Sequence, residues 1–62
     1  MNGYYARVIQ ILRAAGFVLV RAGKGSHEIW GHKRINVTVP FNMLSRHTAN
    51  AVMKQAGLDH RF

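Results

Sequence analysis

The sequence has no cysteine and only two acidic side chains, Glu28 and Asp59. The absence of cysteine excludes disulfide bonds and thiolate zinc sites, and it fits a reducing compartment. Two carboxylates are too few for a two-metal nuclease centre, for a magnesium site built by the protein, or for the carboxylate pair of a glycosidase. Any chemistry is therefore expected to use histidine, cationic side chains and backbone amides, with no metal and no cofactor.

Long apolar segments are also missing. No apolar run approaches the roughly 20 residues that a membrane-spanning helix needs. The N-terminus lacks a basic stretch followed by an apolar one, so no signal peptide is expected. At 62 residues and 48% hydrophobic content, we expect one domain, residues 1–62, with a single small core and a cytoplasmic location.

Positive charge is what the sequence has in excess. Nine lysines and arginines stand against two acids, which gives a formal net charge of +7. Such a surface attracts polyanions, above all nucleic acids. The cationic side chains near the predicted strand ends form a candidate phosphate-binding patch, with a solvated charged surface as the alternative; they are Arg21, Lys24, Lys33 and Arg34.

The hydrophobic pattern predicts two helices. Apolar residues at i, i+3, i+4 and i+7 predict a helix over residues 4–15, with Asn2 as N-cap and Gly16 as the left-handed residue at its end. A second helix is predicted over residues 49–56, starting as early as Arg46. Its predicted N-cap is Ser45 or Thr48, and its predicted buried stripe is Val52, Met53 and Ala56.

Three strands are predicted between the helices, over residues 17–21, 27–30 and 34–39. The second and third strands are expected to join at a tight turn over residues 31–32, and Pro40 ends the third. Short connections imply an antiparallel meander. The predicted fold is therefore α+β, in the order α-β-β-β-α, with both helices on one face of a three-stranded antiparallel sheet.

The run Lys24-Gly25-Ser26-His27 is a small basic loop that brings a histidine to the start of the second strand. Histidine transfers protons near neutral pH, so His27 is a candidate general acid or base for RNA cleavage by attack of a 2′-hydroxyl on its own phosphate. Gly25 and Ser26 then accommodate a phosphate, or are ordinary turn residues. The alternative role of His27 is structural, because its strand parity matches Ile29, which is expected to face the core.

Other residues are weaker candidates. Trp30 has the opposite parity to Ile29 and is expected on the open face of the sheet, where it would stack on RNA bases or contact a protein; a core position is the alternative. Glu28 points away from His27 and is a poor orienting partner. His32 and His47 are candidates for a second proton-transfer group.

Four segments, in this order, together resemble the HicA toxin family: Gly16-Phe17, Gly25-Ser26-His27, Val37-Thr38-Val39-Pro40 and Lys54-Gln55-Ala56-Gly57-Leu58. The resemblance implies a fold like the double-stranded-RNA-binding domain. It also implies a ribonuclease toxin, an mRNA interferase, that cleaves mRNA without a metal and is held inactive by a HicB antitoxin. The family's catalytic histidine matches His27.

The chain departs from the family pattern at two places. Many members have a histidine after the proline of the third strand, where this chain has Phe41, and Arg46-His47 precede Thr48 where a basic residue and glycine are common. These differences concern the RNA-binding surface more than the fold or His27. The basic surface leaves two other hypotheses open: a non-catalytic RNA-binding module of the same fold, and a chain whose main role is to bind an acidic protein partner.

Overall fold

The structure, a computed structural model, describes residues 3–62. Its elements are α1 (Tyr5–Ala14), β1 (Val18–Ala22), β2 (His27–His32), β3 (Ile35–Pro40) and α2 (Arg46–Gln55). β2 lies between β1 and β3 and pairs with both in antiparallel fashion. The predicted α+β class and the α-β-β-β-α order, which is that of the double-stranded-RNA-binding domain, are confirmed.

The same local structure ends both helices. Gly16 has φ +99° after α1, and the Phe17 amide donates back to the carbonyl of Leu12 at 2.9 Å. Gly57 has φ +74° after α2, and the Leu58 amide closes the same kind of bond at 2.9 Å. A left-handed residue at this position is costly for any side chain but glycine, so the two predicted helix ends follow from the glycines.

The helix starts differ from each other. Ser45 Oγ accepts a hydrogen bond from the backbone amide of His47 at 3.1 Å, so Ser45, not Thr48, caps α2, and α2 begins at the earlier of the predicted positions. Tyr4 occupies the N-cap of α1 without a side-chain capping bond. The predicted cap of that helix, Asn2, lies outside the described residues.

The core lies between the two helices and one face of the sheet. The predicted stripe of α2 is buried, and the linker before α2 adds Met43, which was not predicted. The buried apolar residues form one cluster: Val8, Leu12, Phe17, Trp30, Val37, Val39, Met43, Ala49, Val52, Met53 and Ala56. The expected placement of both helices on one face is therefore correct. No helix within residues 3–62 is long and apolar enough to cross a membrane.

The prediction of which face of β2 meets the core was wrong. Trp30 is only 2% exposed and pairs with buried Val37, so the side that carries Trp30 and Glu28 faces the helices. Ile29 and His27 therefore lie on the open side. Burying Trp30 removes far more apolar surface than burying Ile29, and Glu28 fits the core-facing side because its carboxylate has hydrogen-bond donors there.

The second hairpin is longer than predicted. β2 pairs with β3 from His27↔Pro40 to His32↔Ile35, so the turn lies at Lys33 and Arg34 and not at residues 31–32. Lys33 takes φ +56°, an uncommon conformation for a side chain other than glycine. The two hairpin turns consequently lie at opposite ends of the sheet, because β2 runs its full length between them.

Candidate functional site

The connection between β1 and β2, here called the histidine loop (residues 23–27), is a tight hairpin. The Gly23 amide donates to the carbonyl of His27 at 2.8 Å, and the His27 amide donates to the carbonyl of Lys24 at 3.3 Å. Gly25 takes φ +61°, which the turn requires and which glycine adopts without strain. The loop thereby fixes the backbone of His27 at the first position of β2.

The side chain of His27 is exposed, and one of its ring nitrogens has a partner. Nδ1 lies 3.3 Å from the carbonyl oxygen of Lys24. A carbonyl can only accept, so this bond requires the hydrogen on Nδ1. In the neutral imidazole Nε2 then carries the lone pair, and in the imidazolium it carries the transferable proton. The loop thus selects the tautomer in which Nε2 exchanges protons with a bound molecule.

His27 lines a small cleft at the end of the sheet. There the end of β1, the start of β2 and the residue after β3 meet, because the Phe41 amide donates to the carbonyl of Ser26 at 2.6 Å. The cleft has a volume of about 190 Å³. It is lined by Ala22, Gly25, Ser26, His27, Glu28 and Phe41. The structure therefore brings together three of the predicted site residues, Gly25, Ser26 and His27.

In the wall of the cleft, Glu28 is held by two donors. The Tyr5 hydroxyl donates to Oε1 of Glu28 at 2.5 Å, and Trp30 Nε1 donates to the same oxygen at 3.1 Å. Burial, followed by the hydrogen bond to Glu28 and its negative charge, raises the pKa of Tyr5 to about 12, while Arg13 acts in the opposite direction. These three residues, Tyr5, Glu28 and Trp30, are here called the Glu28 network. The hydrogen-bond partners of Glu28 are Tyr5 and Trp30 and not His27, as expected for a residue that does not orient His27.

The predicted cationic residues do not form one patch. Lys24 is part of the histidine loop, and Arg21 pairs with Ile29 on the neighbouring strand, so both lie near His27. Lys33 and Arg34 form the turn between β2 and β3, here called the far turn. Six residues of extended strand separate the two turns by roughly 17 Å. The structure thus places two of the four predicted cations beside the cleft and two at the opposite end of the sheet.

The other histidines lie away from His27. His32 is at the far end of β2, where its ring packs against Phe17 with centroids 5.3 Å apart. His47 lines a different groove, on α2, together with Lys54 and Asp59. Neither predicted second proton-transfer group is therefore beside the cleft. Within residues 3–62, no three histidine, cysteine or acidic side chains come together to hold a metal ion.

Two further residues belong to the site and were not predicted. Phe41 forms one wall of the cleft, and its ring packs edge-on against Tyr5 with centroids 4.9 Å apart. Tyr5 was interpreted as part of the helix stripe or as an aromatic that could stack on RNA bases. Phe41 was interpreted as a linker residue at which the chain departs from the family pattern. The signal for Phe41 was its position directly after Pro40, because residue 40 pairs with His27 across the sheet.

Comparison with known proteins gives one match. The family model described as the HicA toxin of bacterial toxin–antitoxin systems matches residues 5–58. No curated protein and no solved structure matches the chain. The matched segment includes all five helices and strands, the histidine loop and Phe41. The chain therefore belongs to the HicA family, the toxins of bacterial toxin–antitoxin systems.

Proposed function

We propose that this toxin is an endoribonuclease that cleaves mRNA in the cytoplasm, with His27 as its catalytic histidine and without a metal or cofactor. The observation that carries the proposal is the exposed imidazole on the wall of a cleft, with Nδ1 bound to the Lys24 carbonyl. That bond orients the ring and leaves Nε2 for proton transfer to or from a bound RNA.

The reaction that suits one oriented histidine is transesterification within the RNA. The 2′-oxygen attacks the adjacent phosphorus, the bond between them forms, and the bond from phosphorus to the 5′-oxygen breaks. The 2′-hydroxyl loses a proton and the departing 5′-oxygen gains one, which leaves a 2′,3′-cyclic phosphate and a 5′-hydroxyl. Neutral His27 serves as the base at Nε2, or protonated His27 serves as the acid.

Charge stabilisation is assigned to the histidine loop. Lys24 supplies an ammonium group in the histidine loop, directly before Gly25 and three residues before His27. Negative charge accumulates on the non-bridging oxygens of phosphorus in the transition state, and a nearby cation stabilises it more than it stabilises the substrate. Lys24 is therefore expected to affect the rate of cleavage as well as the binding of RNA.

The arrangement of the acidic side chains supports chemistry without a metal. Glu28 Oε1 accepts hydrogen bonds from Tyr5 and Trp30, and Asp59 lines the groove on α2. Magnesium-dependent nucleases need carboxylates that converge on the reacting phosphate. This chain has only these two carboxylate side chains, and they lie in different grooves.

The test is cleavage of RNA in excess EDTA by the wild type, His27→Ala and a matched control, His47→Ala. We expect wild-type and His47→Ala protein to release cyclic-phosphate ends, and His27→Ala to be slower by about 10²–10⁴-fold. Circular dichroism would show that all three proteins are folded. Equal cleavage by His27→Ala and wild type would overturn the role of His27, and cleavage abolished by EDTA would overturn metal independence.

A second candidate function is a non-catalytic RNA-binding module. It is favoured by one observation: neither His32 nor His47 lies beside the cleft, so neither serves as the second proton-transfer group. Under this alternative, the protein binds RNA with an affinity that falls steeply as salt rises, and no new RNA ends form. Salt-dependent binding by a nuclease-free preparation that leaves RNA intact would favour it.

A toxin of a toxin–antitoxin system has an antitoxin, and we propose a HicB-type protein that covers the cleft. With a net charge of +7 on the toxin, the partner is expected to present acidic residues to Lys24 and its surroundings. The association rate should then fall as salt rises. An antitoxin that abolishes activity while leaving Lys24 and His27 accessible to RNA would contradict this proposal.

A further inference from the structure

We propose that Phe41 is a stacking platform for an unpaired nucleobase beside the scissile phosphate, so that the site selects single-stranded RNA. The proposal rests on the proposed ribonuclease function and concerns the same cleft. It begins from the exposure of this ring. Phe41 is 55% exposed, whereas the other aromatic side chains of residues 3–62 are buried or half-buried.

The exposed ring is held in one place. Its edge-on contact with Tyr5 has centroids 4.9 Å apart and an interplanar angle of 65°. The Tyr5 hydroxyl is in turn bonded to Glu28. On the backbone, Pro40 has a fixed φ, and the Phe41 amide is bonded to the Ser26 carbonyl at 2.6 Å. A ring already ordered in the free protein loses little entropy when a ligand stacks on it.

The position of the ring relates it to the proposed chemistry. Phe41 and His27 line the same cleft, and Pro40, the residue before Phe41, pairs with His27 across the sheet. The volume of about 190 Å³ is below the roughly 300–1,000 Å³ of pockets that enclose a whole small-molecule ligand. The cleft therefore suits one part of a polymer, with the phosphate at His27 and an adjoining base against Phe41.

The chemistry of stacking defines the substrate. Any base presents a π-face, so an aromatic platform binds bases with little sequence preference. In a duplex both faces of a base are already covered by its neighbours, and only an unstacked base can reach a protein ring. Lys24, in the histidine loop, adds a positive charge that attracts the phosphate. A polyanion with accessible bases fits this combination better than a protein surface does.

The experiment compares Phe41→Ala, Phe41→Leu and Phe41→Trp with a matched control, Leu44→Ala. Leu44 is an exposed apolar residue of the same linker and does not line the cleft. On single-stranded RNA, we expect Phe41→Ala and Phe41→Leu to lower kcat/KM by roughly 5- to 100-fold, mainly through KM, as stacking on one base implies. Phe41→Trp should retain activity, and Leu44→Ala should match wild type.

A substrate with an abasic nucleotide beside the scissile linkage provides a second measurement. If the missing base is the one that stacks on Phe41, wild-type protein should lose the same factor on the abasic substrate that Phe41→Ala loses on normal RNA. Phe41→Ala acting on the abasic substrate should lose little more activity than either change causes alone. Phe41→Leu keeps an apolar side chain against Tyr5, and thermal melts of both Phe41 variants show whether a weakened fold accounts for their loss of activity.

Failure of the platform can be distinguished from failure of the ribonuclease. The platform is wrong, and the ribonuclease stands, if wild type and Phe41→Ala cleave normal RNA equally well. The same conclusion follows if the abasic substrate lowers the activity of Phe41→Ala by the same factor as that of wild type. If wild type binds RNA without cleaving it, the platform is tested with an oligonucleotide that carries a fluorescent purine analogue. Quenching of the analogue by wild type but not by Phe41→Ala would uphold the platform without the ribonuclease. Reduced affinity of Phe41→Ala for the antitoxin with unchanged RNA binding would overturn it in favour of a protein contact.

Discussion

The histidine loop and the far turn carry the same sequence signals at the two ends of β2. Each is a basic hairpin with one backbone position at positive φ, Gly25 at +61° and Lys33 at +56°, and each adjoins a histidine. They differ in what lies next to them. The far turn leaves His32 packed against Phe17, whereas the histidine loop meets the residue after β3 and forms a cleft.

The difference shows that a basic loop with a histidine becomes a candidate site only when a third segment supports it. At the histidine loop this segment is the start of the linker, whose Phe41 amide bonds to Ser26 and whose ring contacts Tyr5. The Glu28 network then anchors Tyr5. His27 is consequently exposed on a fixed backbone, a combination that favours chemistry.

The largest expected contrast is between the two histidines of β2. His27→Ala should lower RNA cleavage by about 10²–10⁴-fold, because it removes the proposed proton-transfer group. His32→Ala should leave the rate close to wild type and lower the melting temperature, because its ring packs against Phe17. Cleavage rates and thermal melts of the two variants check this. A large loss of rate in folded His32→Ala would show that the two ends of β2 are not functionally distinct.

The two positive φ angles predict opposite effects on stability. Gly25→Ala should destabilise the protein by about 1–2 kcal/mol, because a Cβ at φ +61° is strained although it has no neighbour within 4 Å. Lys33→Gly should relieve the same strain. Because glycine also adds about 0.5–1 kcal/mol of unfolded-state entropy, the net gain should be below about 1 kcal/mol. Urea unfolding measures both, and a stabilised Gly25→Ala would contradict the turn geometry.

The cations at the two ends of the sheet should differ in their effects on RNA binding and on the rate of cleavage. Lys24→Gln removes one expected phosphate contact, so the slope of log K for RNA binding against log salt should become shallower by about 0.7. It should also lower kcat. Lys33→Gln should weaken binding if RNA reaches the far turn, but it should leave kcat unchanged, since the far turn lies roughly 17 Å from the histidine loop. Binding titrations at several salt concentrations and single-turnover rates distinguish the two. Equal effects on kcat would argue against a local role for Lys24.

Local signals made much of the fold predictable. Gly16 and Gly57 end the helices because few other residues tolerate positive φ, and the spacing of Val8 and Leu12 sets the buried side of α1. Short connections left little choice but a meander. The histidine loop was found for the same reason, since its residues are contiguous in the chain.

The remaining features depend on contacts between distant segments. A carboxylate at Glu28 suggests a solvent-facing side of β2. The core-facing side becomes acceptable because Trp30 and the hydroxyl of Tyr5, 23 positions away, both donate to Glu28. Phe41 becomes part of the site through a backbone hydrogen bond to Ser26, which lies in a distant segment of the chain. The separation of Lys33 and Arg34 from His27, by contrast, follows from the meander that was predicted, because successive turns of an antiparallel sheet lie at opposite ends.

The smallest expected effect concerns the Glu28 network, which distinguishes the histidine-loop end of the sheet from the far turn. The folded pKa of Tyr5, about 12, lies above the ordinary value of 10.0. Between these values the folded protein keeps a proton that the unfolded chain releases, so the contribution of Tyr5 to stability is complete below pH 10 and is lost as the pH rises toward 12.

Tyr4→Phe leaves Tyr5 as the one tyrosine, because the chain has two, and its near-ultraviolet absorbance reports the titration. Glu28→Gln in that background should lower the Tyr5 pKa by removing the negative charge, but not fully to 10.0, because burial is the larger cause. An unchanged titration in Glu28→Gln would mean that Glu28 does not hold Tyr5, and the support of the Phe41 ring would then have to come from packing alone.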